Sequence, residues 1–253
     1  MNKKSLLVIV ATFFGLAVFS QVKKQAPAPV KNNPHLKVFD QAIVSGDAGT
    51  AIIALNYYIN EQGGNTPYAD TLAILYMQQG AYPQCYYWAE KRLLITPENN
   101  SLLELKAVSL DKMQQPKEAI EIFEKLFKKT QSPYHAYKLM ELQYGIKRLA
   151  ECLATAQAAE KLVYKPEYIM TYNVGQQVGR TYLQAGVYNI HALALYDLDK
   201  KPEAKSYFEK AVALDTSFVL AKQNLEAMRS LENGGNKTAI PTSTVPVSSP
   251  AKK

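Results

Sequence analysis

The sequence repeats with a period of 34 residues, and this period limits the fold more than any other feature of the chain. Ala51, Cys85 and Ala119 stand 34 residues apart, and each closes a short polar stretch: "SGDAGTA", "QGAYPQC" and "QQPKEA". A fourth copy begins at Cys152 and a fifth at Ala204. In every copy, this residue and those four and seven positions later lie on one face of a helix. A period of this length is typical of arrays of small supersecondary units.

Each of these helices is preceded by another helical segment. "PYADTLAILYMQQG", "SLLELKAVSLDKM" and "VYNIHALALYDL" carry apolar and small residues at three- and four-residue spacing, which places them on one helix face. The third and fifth copies of the second helix are nearly interchangeable, "KEAIEIFEKL" against "PEAKSYFEKA". The sequence therefore predicts a series of helix–turn–helix units.

This 34-residue helix–turn–helix pattern resembles the tetratricopeptide repeat, and Pro97 in "LLITPENN" matches the proline with which that family ends the second helix. The resemblance implies an all-α fold, a right-handed superhelix of about five helix–turn–helix repeats with a C-terminal capping helix. It also implies a concave face that binds peptides or protein partners. The predicted repeats are residues 32–65, 66–99, 100–132, 133–166 and 185–216, followed by a capping helix at 217–231.

An insert at residues 167–184 interrupts the period between the fourth and fifth repeats. "EYIMTY" and "VGRTYL" are rich in β-branched and aromatic residues, and "NVGQQ" between them suits a turn, which favours a short β-hairpin. The alternative is a helix or an irregular segment; a helix would contain Gly175 and Gly179, at a cost of about 1 kcal/mol each relative to Ala. In a hairpin, Tyr168, Met170 and Tyr172 share one side, with Val178, Arg180 and Tyr182 opposite.

The two ends of the chain differ in composition from the repeats. Residues 1–20 have a basic start and a 14-residue, mainly apolar run from Leu6 to Phe19, which predicts a secretory signal peptide cleaved before Gln21. An uncleaved anchor is the alternative, although the run is shorter than the roughly 20 residues of a membrane span. We therefore expect an exported protein, periplasmic, extracellular or in the cell envelope, with no stable membrane insertion after cleavage.

A linker at residues 21–33 precedes the repeat domain, which extends over residues 32–232. The tail at 233–253 has no acidic and no aromatic residue, a composition that predicts disorder. The ends also carry the excess charge: the whole chain has a net charge of +7, but residues 32–232 contain 21 basic and 22 acidic residues. A nearly neutral repeat domain argues against nucleic-acid binding, which requires a basic face on the fold itself.

No pattern in the chain points to catalysis. Cys85 and Cys152 take the small-residue position at the start of a second helix and are predicted to be buried, two repeats apart, which is too far for a disulfide. His35, His135 and His191 have no metal-ligand spacing, and His191 is expected in the core or at its boundary. We therefore predict a protein that is not an enzyme and uses no metal or cofactor.

The remaining functional signal is the surface of the first helices. In the tetratricopeptide family these helices line the concave face, and carried onto this sequence that face has carboxylates and tyrosines but no Lys or Arg. Such a face suits a basic or aromatic-containing partner. The leading hypothesis is a non-enzymatic exported scaffold, and the alternative is a self-associating structural protein of the cell envelope. The nine candidate partner-binding residues are Asp70, Glu104, Asp111, Tyr134, Tyr137, Glu141, Tyr144, Asn189 and Tyr196.

Overall fold

A computed structural model describes residues 33–232 of the chain. The predicted signal peptide, the C-terminal tail and all of the predicted linker except Asn33 lie outside the described residues. Within 33–232 there are eleven helices and one two-stranded sheet. The described residues divide into two compact units on either side of the Ile122–Phe123 bond, which lies within the sixth helix.

The helices follow one another in the pairs that the period predicts, with the hairpin between the fourth and fifth pairs. The first unit contains α1 (Pro34–Ser45), α2 (Ala48–Glu61), α3 (Tyr68–Gln78), α4 (Tyr82–Leu93), α5 (Asn100–Lys112) and the start of α6 (Pro116–Thr130). The second unit contains the rest of α6 and then α7 (Pro133–Gly145), α8 (Leu149–Ala159), β1 (Ile169–Val174), β2 (Gln177–Tyr182), α9 (Leu183–Asp197), α10 (Lys201–Leu214) and α11 (Val219–Glu232).

The periodic positions of the second helices form the interior of each unit, as predicted. All 15 of these side chains are at most 6% exposed. Small residues at the first position allow the two helices of a pair to approach closely, and larger ones further along fill the remaining space. The positions are Ala51, Leu55, Tyr58, Cys85, Ala89, Arg92 and Ala119 in the first unit, and Phe123, Leu126, Cys152, Ala156, Ala159, Ala204, Phe208 and Ala211 in the second.

Every helix pair is joined by the same turn. One or two residues after the end of the first helix of the pair, a residue adopts the left-handed conformation. The residue that follows it donates a backbone hydrogen bond of 2.8–2.9 Å to a carbonyl in the last turn of that helix. This is the Schellman arrangement that ends many helices. The left-handed residues are Gly46 (φ 73°), Gly80 (φ 69°), Gln114 (φ 63°), Lys147 (φ 62°) and Asp199 (φ 58°).

Only two of these five turns have the glycine that the left-handed conformation favours, so the other three carry backbone strain. Gln114 is exposed, and its replacement by glycine is expected to raise the free energy of unfolding by about 1 kcal/mol. Urea unfolding followed by circular dichroism at 222 nm measures the difference. The matched control is Gln115→Gly, one residue later and without the positive φ, which should be neutral or destabilising; equal effects at both positions would contradict the explanation.

Prolines and capping side chains determine where many of the helices begin. Pro34, Pro116 and Pro133 occupy the first position of their helices, where a missing N–H costs no hydrogen bond. The Asn33 carboxamide accepts hydrogen bonds from the first-turn amides of α1, and Asn99 does the same for α5. These local signals fix the helix starts independently of packing.

The insert is a β-hairpin, as favoured from its sequence. Strands β1 and β2 pair in antiparallel fashion from Ile169↔Tyr182 to Val174↔Gln177, and a two-residue turn joins them. Gly175 has φ 59° at the first turn position, as in a type II′ turn. The predicted sides are also correct: Met170 and Tyr172 lie on one face, and Val178, Arg180 and Tyr182 alternate onto the other. Helix α9 begins at Leu183, so it takes the last two residues of the predicted insert.

The inner face of the hairpin is buried against the last helix. The Tyr172 ring is 7% exposed and packs edge-on against Phe218, with 4.8 Å between the ring centroids. Its hydroxyl accepts a 3.1 Å hydrogen bond from the Val219 amide at the start of α11 and donates to the Ser217 carbonyl. The hairpin therefore fills the space before the fifth repeat and caps the start of α11. These contacts explain how a sheet of only two strands is stable here.

Candidate partner-binding site

Three of the predicted tyrosines lie half-buried on the first helices of the fourth and fifth repeats, within the second unit. Tyr134 and Tyr144 belong to α7 and Tyr196 to α9. Tyr144 and Tyr196 pack against the same buried cluster around Leu193 and Phe208. The three side chains are thus packed on the core and only partly accessible, and the hydroxyl oxygens of Tyr134 and Tyr144 are themselves buried.

An ion pair connects the ends of α7 and α9 beside these rings. Lys147 Nζ lies 2.7 Å from an Asp197 carboxylate oxygen and 4.7 Å from the centroid of the Tyr144 ring. Burial is the main cause that raises the pKa of Tyr144, and the nearby Asp197 carboxylate adds to it. The phenol therefore stays neutral at physiological pH. We name Tyr144, Lys147, Tyr196 and Asp197 the tyrosine patch.

Cations accompany the carboxylates of the predicted face. In the second unit Glu141 forms an ion pair with Lys138, one helical turn earlier on α7. In the first unit Asp70 is bound by Arg92, whose side chain is only 7% exposed. The predicted face contained neither Lys138 nor Arg92, because it included only the first-helix positions that line the concave face in the family.

The other two acidic candidates also have partners. Asp111 lies 3.7 Å from Lys112, and Glu104 takes part in a polar interaction as well. The four carboxylates are therefore not a strip of free negative charge, and a purely basic partner loses its main attraction.

Two candidates lie in the interior and are removed from the predicted binding surface. Asn189 is 3% exposed and its side-chain oxygen accepts a 2.9 Å hydrogen bond from Asn224. Tyr137 is 8% exposed and packs close to Gly186 of α9; its burial raises its pKa well above the ordinary value. Tyr137 lies two helical turns before Tyr144, and Asn189 lies two turns before Tyr196, so each shares a helix face with a residue of the tyrosine patch. Only the packing of α9 against Tyr137 and of α11 against Asn189 makes these two residues part of the core.

A partly buried polar network in the second unit has no signal in the sequence. Glu160, just after α8, accepts a 3.1 Å hydrogen bond from the Tyr207 hydroxyl and lies 2.5 Å from His191 Nδ1. The His191 and Tyr207 rings stack with 3.9 Å between centroids, and Lys210 lies 4.0 Å from the Tyr207 centroid on the same helix. Glu160, His191 and Tyr207 come from the end of α8, from α9 and from α10, at spacings that match no motif. The predicted core position of His191 is confirmed, at 4% exposure.

The position of His191 makes the stability of the second unit depend on pH. Burial lowers the pKa of His191 below its ordinary value of 6.5, against the opposing effect of Glu160 and with a further lowering by Lys210. The unfolded chain therefore takes up a proton near pH 6.5 while the folded chain does not, so the free energy of unfolding falls as the pH is lowered through and below this value.

We expect His191→Gln to flatten that decrease, since glutamine does not titrate. Urea unfolding curves between about pH 5 and about pH 8 measure it, because histidine titrates in this range. His35→Gln is the matched control, as His35 is half-buried and lies in the first unit. Equal pH dependence in wild type and His191→Gln would contradict this assignment.

The remaining nucleophilic and metal-binding side chains are arranged as packing residues. Cys85 and Cys152 are free, buried thiols, as their positions in the repeat predict. Burial raises the pKa of Cys85 to about 11 and that of Cys152 to about 12, which keeps both thiols protonated and poorly nucleophilic. Within residues 33–232 no group of three or more His, Cys, Asp or Glu side chains is placed to hold a metal ion. No helix of that part of the chain is long and apolar enough to cross a membrane.

Comparison with known proteins agrees with this architecture. Residues 185–218 match the family model of the tetratricopeptide repeat, and no curated protein sequence matches the chain. A crystal structure of MamA protein is similar, with a TM-score of 0.59 and 15% identity over 72% of this chain and 90% of that one. The RS-1 ArsTM double mutant of MamA has a TM-score of 0.60 and 17% identity over 72% of this chain and 93% of that one.

The AMB-1 form of MamA in the P212121 crystal has a TM-score of 0.57 and 18% identity over 74% of this chain and 96% of that one. At such identities the similarity shows the fold and no shared function. The family model recognises the sequence of the last repeat, α9 with α10. Four of the candidate residues lie in this repeat or pack against it. The chain therefore has the fold of a tetratricopeptide repeat protein, with residues 185–218 as its sequence-recognised repeat.

Proposed function

We propose that this chain is an exported, non-enzymatic scaffold that binds a protein partner through the tyrosine patch of its second unit. Tetratricopeptide repeat proteins are typically protein-binding scaffolds. The observation that carries the assignment is the pair Tyr144 and Tyr196, which are anchored on one buried cluster and remain partly accessible. Tyrosine offers a large, rigid contact area and is enriched among the residues that dominate interface energies.

The ion pairs of the structure restrict the chemistry of the partner more than the sequence does. Since Lys147 is bound to Asp197 and Lys138 to Glu141, a partner gains little from net charge at this surface. An aromatic or apolar side chain placed against the two rings, with backbone groups hydrogen-bonded to the surrounding polar atoms, fits the patch best. The aromatic-containing segment expected from the sequence is retained, and the basic one is not.

The test is the double change Tyr144→Ala with Tyr196→Ala. We expect it to weaken binding of a partner, first captured from cell-envelope fractions with the wild-type chain and then purified, by about 2 kcal/mol, because truncated tyrosine anchors cost this much. Isothermal titration calorimetry with the purified partner measures the loss.

Tyr87→Ala is the matched control, since Tyr87 is 56% exposed and lies on the second helix α4. Circular dichroism must show that both variants keep their helix content. If the Tyr87 variant loses as much affinity as the double variant, or if neither loses any, the partner binds elsewhere.

Export is supported by the basic start and apolar run of residues 1–20. Sequencing the N-terminus of the protein isolated from cell-envelope and medium fractions tests this directly. A mature chain that begins at Gln21 supports a cleaved signal peptide, and an intact Met1 in the membrane fraction supports the anchor instead.

Self-association is the second candidate function, and exposed apolar side chains in the first repeat favour it. Val44 is 90% exposed, Tyr57 60% and Ile53 58%, and exposed apolar side chains of one repeat can be covered by a second copy. Light scattering over a range of protein concentrations separates the two: a strict monomer excludes self-association, whereas a dimer lost in the Ile53→Asp variant supports it.

A further inference from the structure

A tyrosine-lined groove lies at the base of the hairpin, in the second unit and apart from the tyrosine patch. Its volume is about 360 Å³, within the usual range of roughly 300–1,000 Å³ for ligand sites. The residues that form its walls come from the segment before β1, the end of β2 and the helices on either side. The uncharged ones are Tyr164, Pro166, Tyr168, Tyr182, Gln184 and Leu214.

Hydrogen bonds hold two of the three tyrosines of the groove in place, one through its hydroxyl and one through its backbone carbonyl. The Tyr164 hydroxyl donates a 3.0 Å hydrogen bond to the Ala159 carbonyl, and burial raises the pKa of Tyr164, so the phenol stays neutral. The Tyr168 carbonyl accepts a 2.7 Å hydrogen bond from Leu183 at the start of α9. Such a wall is largely formed before a ligand arrives, which lowers the entropic cost of binding.

The third ring is the accessible one. Tyr182 is 40% exposed, and its register partner Ile169 is 39% exposed on the same outer face of the hairpin. Large apolar side chains exposed beside a groove are a common sign that something covers it.

The chemistry of the lining selects an extended, proline-containing segment. Aromatic-lined grooves bind proline-rich chains because proline rings pack flat on aromatic faces and the polyproline II conformation loses little entropy on binding. Tyrosine hydroxyls and the Gln184 amide supply hydrogen bonds for the carbonyls that such a chain exposes. Lys165 is the one charged side chain of this groove's lining, so a neutral segment suits it better than a basic one.

We propose that residues 239–250 of the same chain bind this groove. That segment, "AIPTSTVPVSSP", has Pro241, Pro246 and Pro250 and no charged residue. It follows α11, which begins five residues after Leu214 of the groove lining, so only a short stretch of chain separates the start of α11 from the groove. A 14-residue helix is about 21 Å long at 1.5 Å per residue.

The residues between the end of α11 and this segment are long enough to run back along the whole length of α11. From Glu232 to Pro241 is nine residues, which cover about 28 Å in an extended polyproline II chain, and from Glu232 to Pro246 is 14 residues, or about 43 Å. Both spans exceed the length of α11, that of Pro246 by about a factor of two. Binding within one chain also gives the segment an effective concentration in the millimolar range.

The test is photo-cross-linking in the full chain, with p-benzoylphenylalanine in place of Leu214. Irradiation followed by peptide mass spectrometry is expected to show cross-links to residues 239–250 of the same copy, about tenfold above the yield from a control probe in place of Leu198. Leu198 is exposed to a similar degree but does not line the groove. The yield should not change on dilution and should fall about fivefold when Pro241, Pro246 and Pro250 are all replaced by alanine.

Other outcomes overturn the proposal. A yield that falls on dilution assigns the groove to a second copy of the chain, and an absence of cross-links to residues 239–250 assigns it to neither. If the Leu214 probe disturbs folding, the triple proline variant without a probe provides an independent measurement, since its changes lie outside the described fold. The ring NMR signals of Tyr164, Tyr168 and Tyr182 should then shift relative to wild type; unchanged signals would also reject the proposal.

Discussion

Replacing Arg92 with methionine is expected to lower the free energy of unfolding of the first unit by about 4 kcal/mol. The guanidinium binds the Asp70 carboxylate and donates a 3.1 Å hydrogen bond to the Asn65 side chain. Its side chain is 7% exposed and that of Asp70 17%. Methionine keeps most of the apolar stem but leaves the Asp70 charge largely buried without a cation, and this accounts for most of the loss.

Trp88, the single tryptophan of the chain, reports on this unfolding, because it packs in the first unit on the same helix as Arg92. Urea titration followed by tryptophan fluorescence therefore measures the effect locally. The control is Arg92→Met combined with Asp70→Leu, which removes both charges. The double variant should be clearly more stable than Arg92→Met alone, since a buried pair replaced by apolar groups is often nearly neutral. A double variant as unstable as the single one would show that the guanidinium acts through packing instead.

Replacing Gly179 with alanine is expected to cost about 3 kcal/mol, at the upper end for one added methyl group. Gly179 is the cross-strand partner of Tyr172, whose ring lies directly over it. A Cβ at Gly179 would lie 2.7 Å from Tyr172 Cε2 and 2.7 Å from its hydroxyl oxygen. The ring has little room to move, because it packs on Phe218 and its hydroxyl is bonded to the Val219 amide.

Thermal unfolding followed by circular dichroism measures this effect. Gly145→Ala is a matched control in the same unit, because a Cβ there would meet no atom within 4 Å, and it should be nearly neutral. The same Gly179→Ala change introduced together with Tyr172→Leu should cost much less than it does alone, since the obstructing ring is gone. Additive costs in this pair would show that the strain does not arise from the contact between Gly179 and Tyr172.

Together the two expected results would distinguish a structural role from a role in partner binding, which the sequence alone does not do. Asp70 was a candidate for partner binding because of its helix position, but its contacts are those of a structural ion pair. The hairpin was open to a role in recognition or in filling a step between repeats. Its inner face fills the step between repeats, while the groove at its base stays available to a ligand.

Much of the fold was determined by the sequence alone, because it rests on local and periodic signals. The 34-residue period predicted five helix pairs, and the 15 side chains at its second-helix positions are all buried. Residues such as Asn33, Pro116 and Gly175 act on their own few neighbours, so their effects on helix starts and on the hairpin turn can be inferred without knowing the tertiary structure.

The candidate site was decided by the tertiary structure. Tyr137 and Tyr144 are seven residues apart and nearly equivalent in a helical projection. Tyr137 is nevertheless buried, because it packs close to Gly186 of α9, whereas Tyr144 is half-buried at the edge of another cluster. The charges of the face likewise depended on Lys138, Lys147 and Arg92, which lie off the first-helix positions from which the face was predicted. Helical period fixes which direction a side chain points, but burial, ion pairing and the network of Glu160, His191 and Tyr207 depend on which other helix arrives there, and residues distant in the sequence determine that.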